Sequence, residues 1–172
     1  MIKIIGCVII IFSSTFIGIL YGRVCRKRVE ELKDLERNIY ELKNQMLYTY
    51  TSLPEAFYFV FQKSKTFIGK IFLSVSNLLY EGNVKNVYEA FKISIKSQKN
   101  KLSINEDDIN IMLNLAKSLG ESDLSGQQAI LNLALENIKK QEEEAEYIMK
   151  KNVKMYRYLG FTVGCVLAIM LI

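Results

Sequence analysis

Glu142, Glu143, Glu144 and Glu146 form the densest group of potential metal ligands in the chain. Carboxylates hold hard divalent cations, or exchange protons, only where several converge on one point. Consecutive glutamates point around a helix instead, and Lys139, Lys140, Lys150 and Lys151 are close enough in sequence to neutralise them, so the run reads as a solvated helix surface. The chain has no histidine, which removes histidine-based triads. Its serines fall mostly at caps and loops, where local backbone bonding accounts for them. Cys7, Cys25 and Cys165 include no C-x-x-C pair, and two of them sit in apolar runs, so neither zinc nor a disulfide framework is indicated. No glycine-rich loop ends in Lys-Ser or Lys-Thr, which argues against a self-contained P-loop ATPase. The reading is of a protein that is not an enzyme, with no catalytic residue, metal site or cofactor.

The remaining chemistry is recognition. Lys96, Lys99 and Lys101 surround a polar stretch, Gln98–Leu102, where positive charge can steer an acidic partner. A merely solvated basic loop stays open as the alternative. Glu121–Asp123 is a second polar loop that offers a partner contact. Nucleic acid is not expected, because no aromatic-plus-basic signature accompanies the charge.

Two oily runs lie at the ends of the chain. Ile4–Gly22 is uncharged and is followed by Arg23, Arg26, Lys27 and Arg28; Leu159–Ile172 is preceded by Lys150, Lys151, Lys154 and Arg157. As helices the first covers about 28 Å and the second, extended back to Met155 with Arg157 snorkelling, about 27 Å, against a hydrocarbon core of about 30 Å. Both are expected to span a membrane. Positive charge stays on the cytoplasmic side, so the flanks agree on a cytoplasmic centre with both termini outside, Lys3 alone dissenting. A cleaved signal peptide is disfavoured, since Leu20-Tyr21-Gly22-Arg23 lacks an A-x-A-like site. The net charge of +5 owes much to these flanks, which suit anionic headgroups and make membrane lipid an expected partner. Gly18 with Gly22, and Gly160 with Gly164, form small-x-x-x-small pairs through which helices approach closely, within one chain or between copies of a homo-oligomer.

The expected organisation is a transmembrane helix over 1–22, a cytoplasmic helical-bundle domain over 23–157 and a second transmembrane helix over 158–172. Half of the residues are hydrophobic, enough for one packed core. Leu32, Leu35, Ile39, Leu42 and Met46 draw an apolar stripe on a helix from about 28 to 50, with Glu30, Glu31, Asp34 and Glu36 read as its solvated face. Pro54 opens a second helix, which breaks near Ser64-Lys65-Thr66 before a third over 67–80. Glu81-Gly82-Asn83 closes that one and caps a fourth from Val84 to about Ser97. Ser103-Ile104-Asn105-Glu106 reads as a capping box opening a fifth helix, ended by Gly120. The sixth starts at Glu121-Ser122-Asp123 and, past Gly126 in its first turns, meets no breaker before Gly160, so it runs toward the second span. The fold class is all-α, a compact bundle of about six antiparallel helices between two anchors.

Several stretches resemble the stage III sporulation protein AB family of endospore-forming bacteria. They are 28–50 leading into Leu53-Pro54-Glu55-Ala56, Leu119-Gly120-Glu121-Ser122-Asp123 with Gln127-Gln128, and Met155-Tyr156-Arg157-Tyr158-Leu159-Gly160. The resemblance implies a component of the channel-like apparatus between mother cell and forespore during engulfment. It also implies a soluble domain similar to the cytoplasmic domain of the type II secretion inner-membrane platform protein. By that likeness the chain would sit in the mother-cell membrane around the forespore as a non-enzymatic platform. Its partners would be a cytoplasmic ATPase of the same apparatus and other sporulation channel membrane proteins. The secretion platform usually carries two such domains where this chain has one. A helical membrane-anchored sensory protein is the alternative, and a lipid-modifying enzyme is disfavoured by the missing histidine and the absence of clustered carboxylates at the membrane surface.

Overall fold

The computed structural model describes the backbone of residues 2–119 and 124–171, and the side chains of 23–119, 126–152 and a few positions beyond. Within them lie six α-helices and no strand: α1 (Ile2–Leu47), α2 (Leu53–Lys63), α3 (Ile68–Tyr80), α4 (Val87–Gln98), α5 (Glu106–Leu119) and α6 (Leu124–Leu171), with a 3-10 turn at Lys99–Lys101. The first helix does not begin near Arg28 as its stripe suggested. Residues 23–47 hold no glycine or proline and are rich in Arg, Lys, Glu and Leu, so nothing stops the helix that starts at Ile2. The last helix likewise runs on through 159–171. Among the described residues no helix is long and apolar enough to cross a membrane. Apart from Ser13 and Thr162, the side chains of the two apolar runs lie outside them.

The chain forms two compact units, one of residues 1–29 with 144–172 and one of Glu30–Glu143. The second carries the helical core. Leu32, Leu35, Ile39 and Leu42 are fully buried and Met46 nearly so, which makes the stripe on α1 a packing seam. In the same unit α2 packs on α3, α3 on α4 and α4 on α5. Phe57, Phe72 and Phe91, one from each of α2, α3 and α4, meet with ring centroids 5.4–6.0 Å apart, Phe91 edge-on to both others. Buried hydroxyls are satisfied locally: Ser76 donates to the Pro54 carbonyl at 2.7 Å, and Ser94 and Ser74 share a 2.8 Å bond.

The α2–α3 joint is built around Asp34, which is 2% exposed. Its carboxylate accepts from Ser64 Oγ at 2.5 Å, Thr66 Oγ1 at 2.9 Å and the backbone amides of Lys65 and Thr66 at 3.0–3.1 Å. Arg37 adds a bond from the same helix at 3.3 Å. The expected break at Ser64–Thr66 is present, and the solvated reading of Asp34 is corrected: the amides left unpaired just ahead of α3 are collected by a buried acid on α1. Burial opposes its ionisation, but the donors from Ser64, Lys65 and Thr66 outweigh that and hold the carboxyl below the ordinary aspartate range. Gly69 completes the joint, since a Cβ there would lie 2.5 Å from the Ser64 Cβ.

Other helix ends differ in detail from the sequence reading. Tyr50 has φ +52, a left-handed value usually left to glycine, and Thr51 N–H donates back to the Gln45 carbonyl at 3.0 Å, so the chain turns over the end of α1 just past Leu47. Gly82 makes the left-handed turn after α3 with φ +66, but Asn83 does not cap α4. Asn86 does, accepting from Glu89 N–H at 2.9 Å while Glu89 accepts from Lys85 N–H at 2.9 Å. The capping box of α5 is likewise displaced by two residues: Asn105 and Asp108, not Ser103 and Glu106, exchange reciprocal 2.9 Å bonds. The Gly120 stop and the Glu121–Asp123 loop lie outside the described residues.

Candidate functional site

The basic segment between α4 and α5 is held from beneath by a second buried acid. Glu31, 5% exposed and less than one turn before Asp34 on α1, accepts from Ser103 N–H at 2.6 Å and Ile104 N–H at 3.2 Å. The Ser103 amide is the one the capping-box reading had assigned to Glu106. Glu31 was read as solvated and is instead the anchor that places the segment. The Asn105–Asp108 box locks its far end, and Leu102 N–H closes the 3-10 turn onto the Lys99 carbonyl at 3.3 Å.

On this rigid support the three candidate lysines are exposed and have different environments. Lys96 lies in the last turn of α4, where a cation also complements the helix dipole. Lys99 Nζ is 2.5 Å from Glu106 Oε1, a surface pair with both side chains more than half exposed. Lys101 ends the 3-10 turn. The structure therefore brings Lys99 and Lys101 onto one turn with Lys96 one helical turn before, and leaves Lys99 partly committed to its own domain. Gln98, half-buried between them, carries a buried Oε1 with no hydrogen-bond partner. It lines the end of a groove of about 460 Å³ that also takes in Phe61, Lys70, Leu73 and Glu81. This unsatisfied amide beside a groove has no sequence signal, because it depends on where α3 passes α4.

The acidic run on α6 does not converge. Glu142 faces Lys33 of α1 at 3.7 Å, Glu146 bonds Lys150 one turn on at 3.2 Å, and Glu143 and Glu144 are exposed. Glu41 is held below the ordinary glutamate range by the bonds from Lys63 at 2.6 Å and Gln45 at 2.9 Å, a structural tie between α1 and the end of α2. Among the described residues no group of three acids or cysteines is placed to hold a metal ion.

The flank residues belong to the other unit. Arg23, Arg26 and Lys27 are exposed and, at spacings of three and four, share one face of α1; Arg28 is half-buried and engaged in contacts. Lys150 and Lys151 are exposed on α6. The side chains of Lys154 and Arg157, and the surroundings of Gly18, Gly22, Gly160 and Gly164, lie outside the described residues.

The comparisons agree with this architecture and with the resemblance. The model of the family "Stage III sporulation protein AB" matches residues 3–172. Stage III sporulation protein AB of Bacillus subtilis (strain 168) is 26% identical over 171 residues, 99% of each chain. A solved structure of stage III sporulation protein AB is similar in fold, with a TM-score of 0.66, 22% identity, and coverage of 72% of this chain and 96% of that one. With a match that takes in nearly every residue, this chain belongs to the stage III sporulation protein AB family.

Proposed function

We propose that this chain is a membrane-integral platform of the stage III sporulation apparatus, a non-enzymatic part that holds a cytoplasmic ATPase against other channel components. The observation that carries the reading is the division of the chain. A helical unit, Glu30–Glu143, is inserted between two chain ends that together carry both apolar runs and the basic flanks. The family match includes both runs, so they are part of what defines the family. Positive flanks at their inner ends favour a cytoplasmic central unit in the mother-cell membrane around the forespore. The glycine pairs at Gly18/Gly22 and Gly160/Gly164 give the two membrane helices room to meet at one depth. The likeness to the secretion platform supplies the ATPase, and Lys96, Lys99 and Lys101 supply a surface for an acidic face of it.

Orientation is tested by labelling. With Cys7, Cys25 and Cys165 replaced by serine, a cysteine at exposed Asn100 should resist impermeant reagent in intact mother cells and react after lysis. Reaction without lysis would reverse the topology. Coupling is tested by co-purifying the full-length protein with the ATPase of the apparatus across a salt series; failure to recruit it at any ionic strength would remove the platform mechanism.

A further inference from the structure

The charge of the chain is divided very unevenly between its two units. Residues 1–29 with 144–172 hold nine Lys or Arg against two acids, a net of +7; Glu30–Glu143 hold fourteen against sixteen, a net of −2, which together give the +5 of the whole chain. The kind of cation is divided too. Four of the five arginines, Arg23, Arg26, Arg28 and Arg157, lie in the two short flanks, whereas thirteen of the fourteen cations of the helical unit are lysine. Retention of positive charge on one side of a membrane counts lysine and arginine together, so topology accounts for the sign of the flanks and not for their arginine content. Phosphate recognition does distinguish the two, because the planar guanidinium meets a phosphate with two parallel hydrogen bonds and the ammonium acts as a point charge.

We propose that the arginine-bearing flanks bind the headgroup phosphates of anionic phospholipids. The proposal rests on the membrane reading above and names the lipid class that the flanks select. Arg23 and Arg26 are exposed on one face of α1 with Lys27, and in the sequence Lys150, Lys154 and Arg157 recur at spacings that share one face of α6. The acids in this unit are Glu144 and Glu146, and Glu146 is already bonded to Lys150, so the unit carries far more cations than acids of its own. Each flank also places tyrosine next to arginine, as Tyr21-Gly22-Arg23 and Tyr156-Arg157-Tyr158, with Tyr158 exposed. Tyrosine at the end of an apolar run settles at headgroup depth, where the neighbouring guanidinium would meet phosphate. A lipid with net negative charge satisfies this set, whereas the choline of a zwitterionic lipid competes for the same phosphate.

The test uses the full-length protein, reconstituted into vesicles of equal phosphatidylcholine and phosphatidylglycerol and released gently for native mass spectrometry. Retained phosphatidylglycerol should exceed phosphatidylcholine by roughly fivefold or more, the scale set by one surface cation acting on one anionic lipid. The triple variant Arg23→Lys, Arg26→Lys, Arg157→Lys keeps the charge; it should remain in the alkali-washed membrane pellet and keep the part of the preference that charge alone supplies, while losing the part that the bidentate guanidinium adds. Inorganic phosphate added at millimolar level should not displace the lipid. Equal retention of the two lipids by the wild type overturns the proposal, as does a triple variant with full preference, or displacement by inorganic phosphate. Loss of the wild type from alkali-washed vesicles would instead count against the membrane reading on which the proposal stands.

Discussion

Glu31 and Asp34 on α1, and Lys96, Lys99 and Lys101 between α4 and α5, look alike in sequence as charges on amphipathic or polar stretches, and the structure gives them opposite employment. The two acids are buried and collect the amides of two distant connections; the lysines stay exposed. The difference follows from what lies opposite. A carboxylate can be buried when it meets a row of N–H and O–H donors in a connection between helices, whereas an ammonium needs acceptors, and the Glu106 carboxylate that Lys99 meets is itself at the surface.

The contrast is broken most severely one residue from Asp34. Leu35 is fully buried on the apolar stripe of α1, and Leu35→Asp should cost about 4 kcal/mol or more, seen as loss of the cooperative thermal transition of the full-length protein by circular dichroism. A fully stable variant would mean that burial on α1 does not decide which acids are tolerated. Asp34→Ala comes next, at about 3 kcal/mol, because it strands two hydroxyls and two amides at once. Asp34→Asn should retain part of this, since the amide oxygen still accepts.

Acid sharpens the same point. The native carboxyl of Asp34 is lowered, so its contribution is fully present above the ordinary value of 3.8 and is lost as the pH falls through the lower native value. The stability gap between wild type and Asp34→Asn should therefore be constant from pH 7 to about 5 and close below about 4. A gap that widens in acid would contradict the bond set. The smallest effect on folding belongs to the lysines: Lys96→Glu with Lys101→Glu should shift stability by less than about 0.5 kcal/mol. If the proposed docking is right, the same pair should abolish salt-sensitive co-purification with the ATPase.

Much of the architecture was legible because it depends on local spacing. The stripe Leu32 to Met46, the proline start of α2, the break at Ser64–Thr66 and the left-handed Gly82 are each written within a few residues. What was not legible is set by distance. Asp34 reaches Ser64 across 30 positions and Glu31 reaches Ser103 across 72, so no window on α1 reveals that its acids have donors. The caps erred for a related reason. Once Glu31 takes the amides of Ser103 and Ile104, the box moves inward to Asn105 and Asp108, and with α3 ending at Tyr80 the chain turns at Gly82 and runs on to Asn86 before turning helical. Of the candidate site, the lysines could be named from composition, but their support could not.

The bond between Glu31 and the α4–α5 connection also sets an order of events in time. Synthesis delivers α1 first, with a carboxylate made for burial and nothing yet to bury it. Its partners emerge 72 residues later, after α2, α3 and α4 have been made. The α2–α3 joint can close early on Asp34, a short loop in kinetic terms, but the basic turn cannot be set until the longer loop closes. The basic turn is thus among the later parts of the unit to take shape, and a nascent or partly folded chain would present its lysines without the geometry that holds them together.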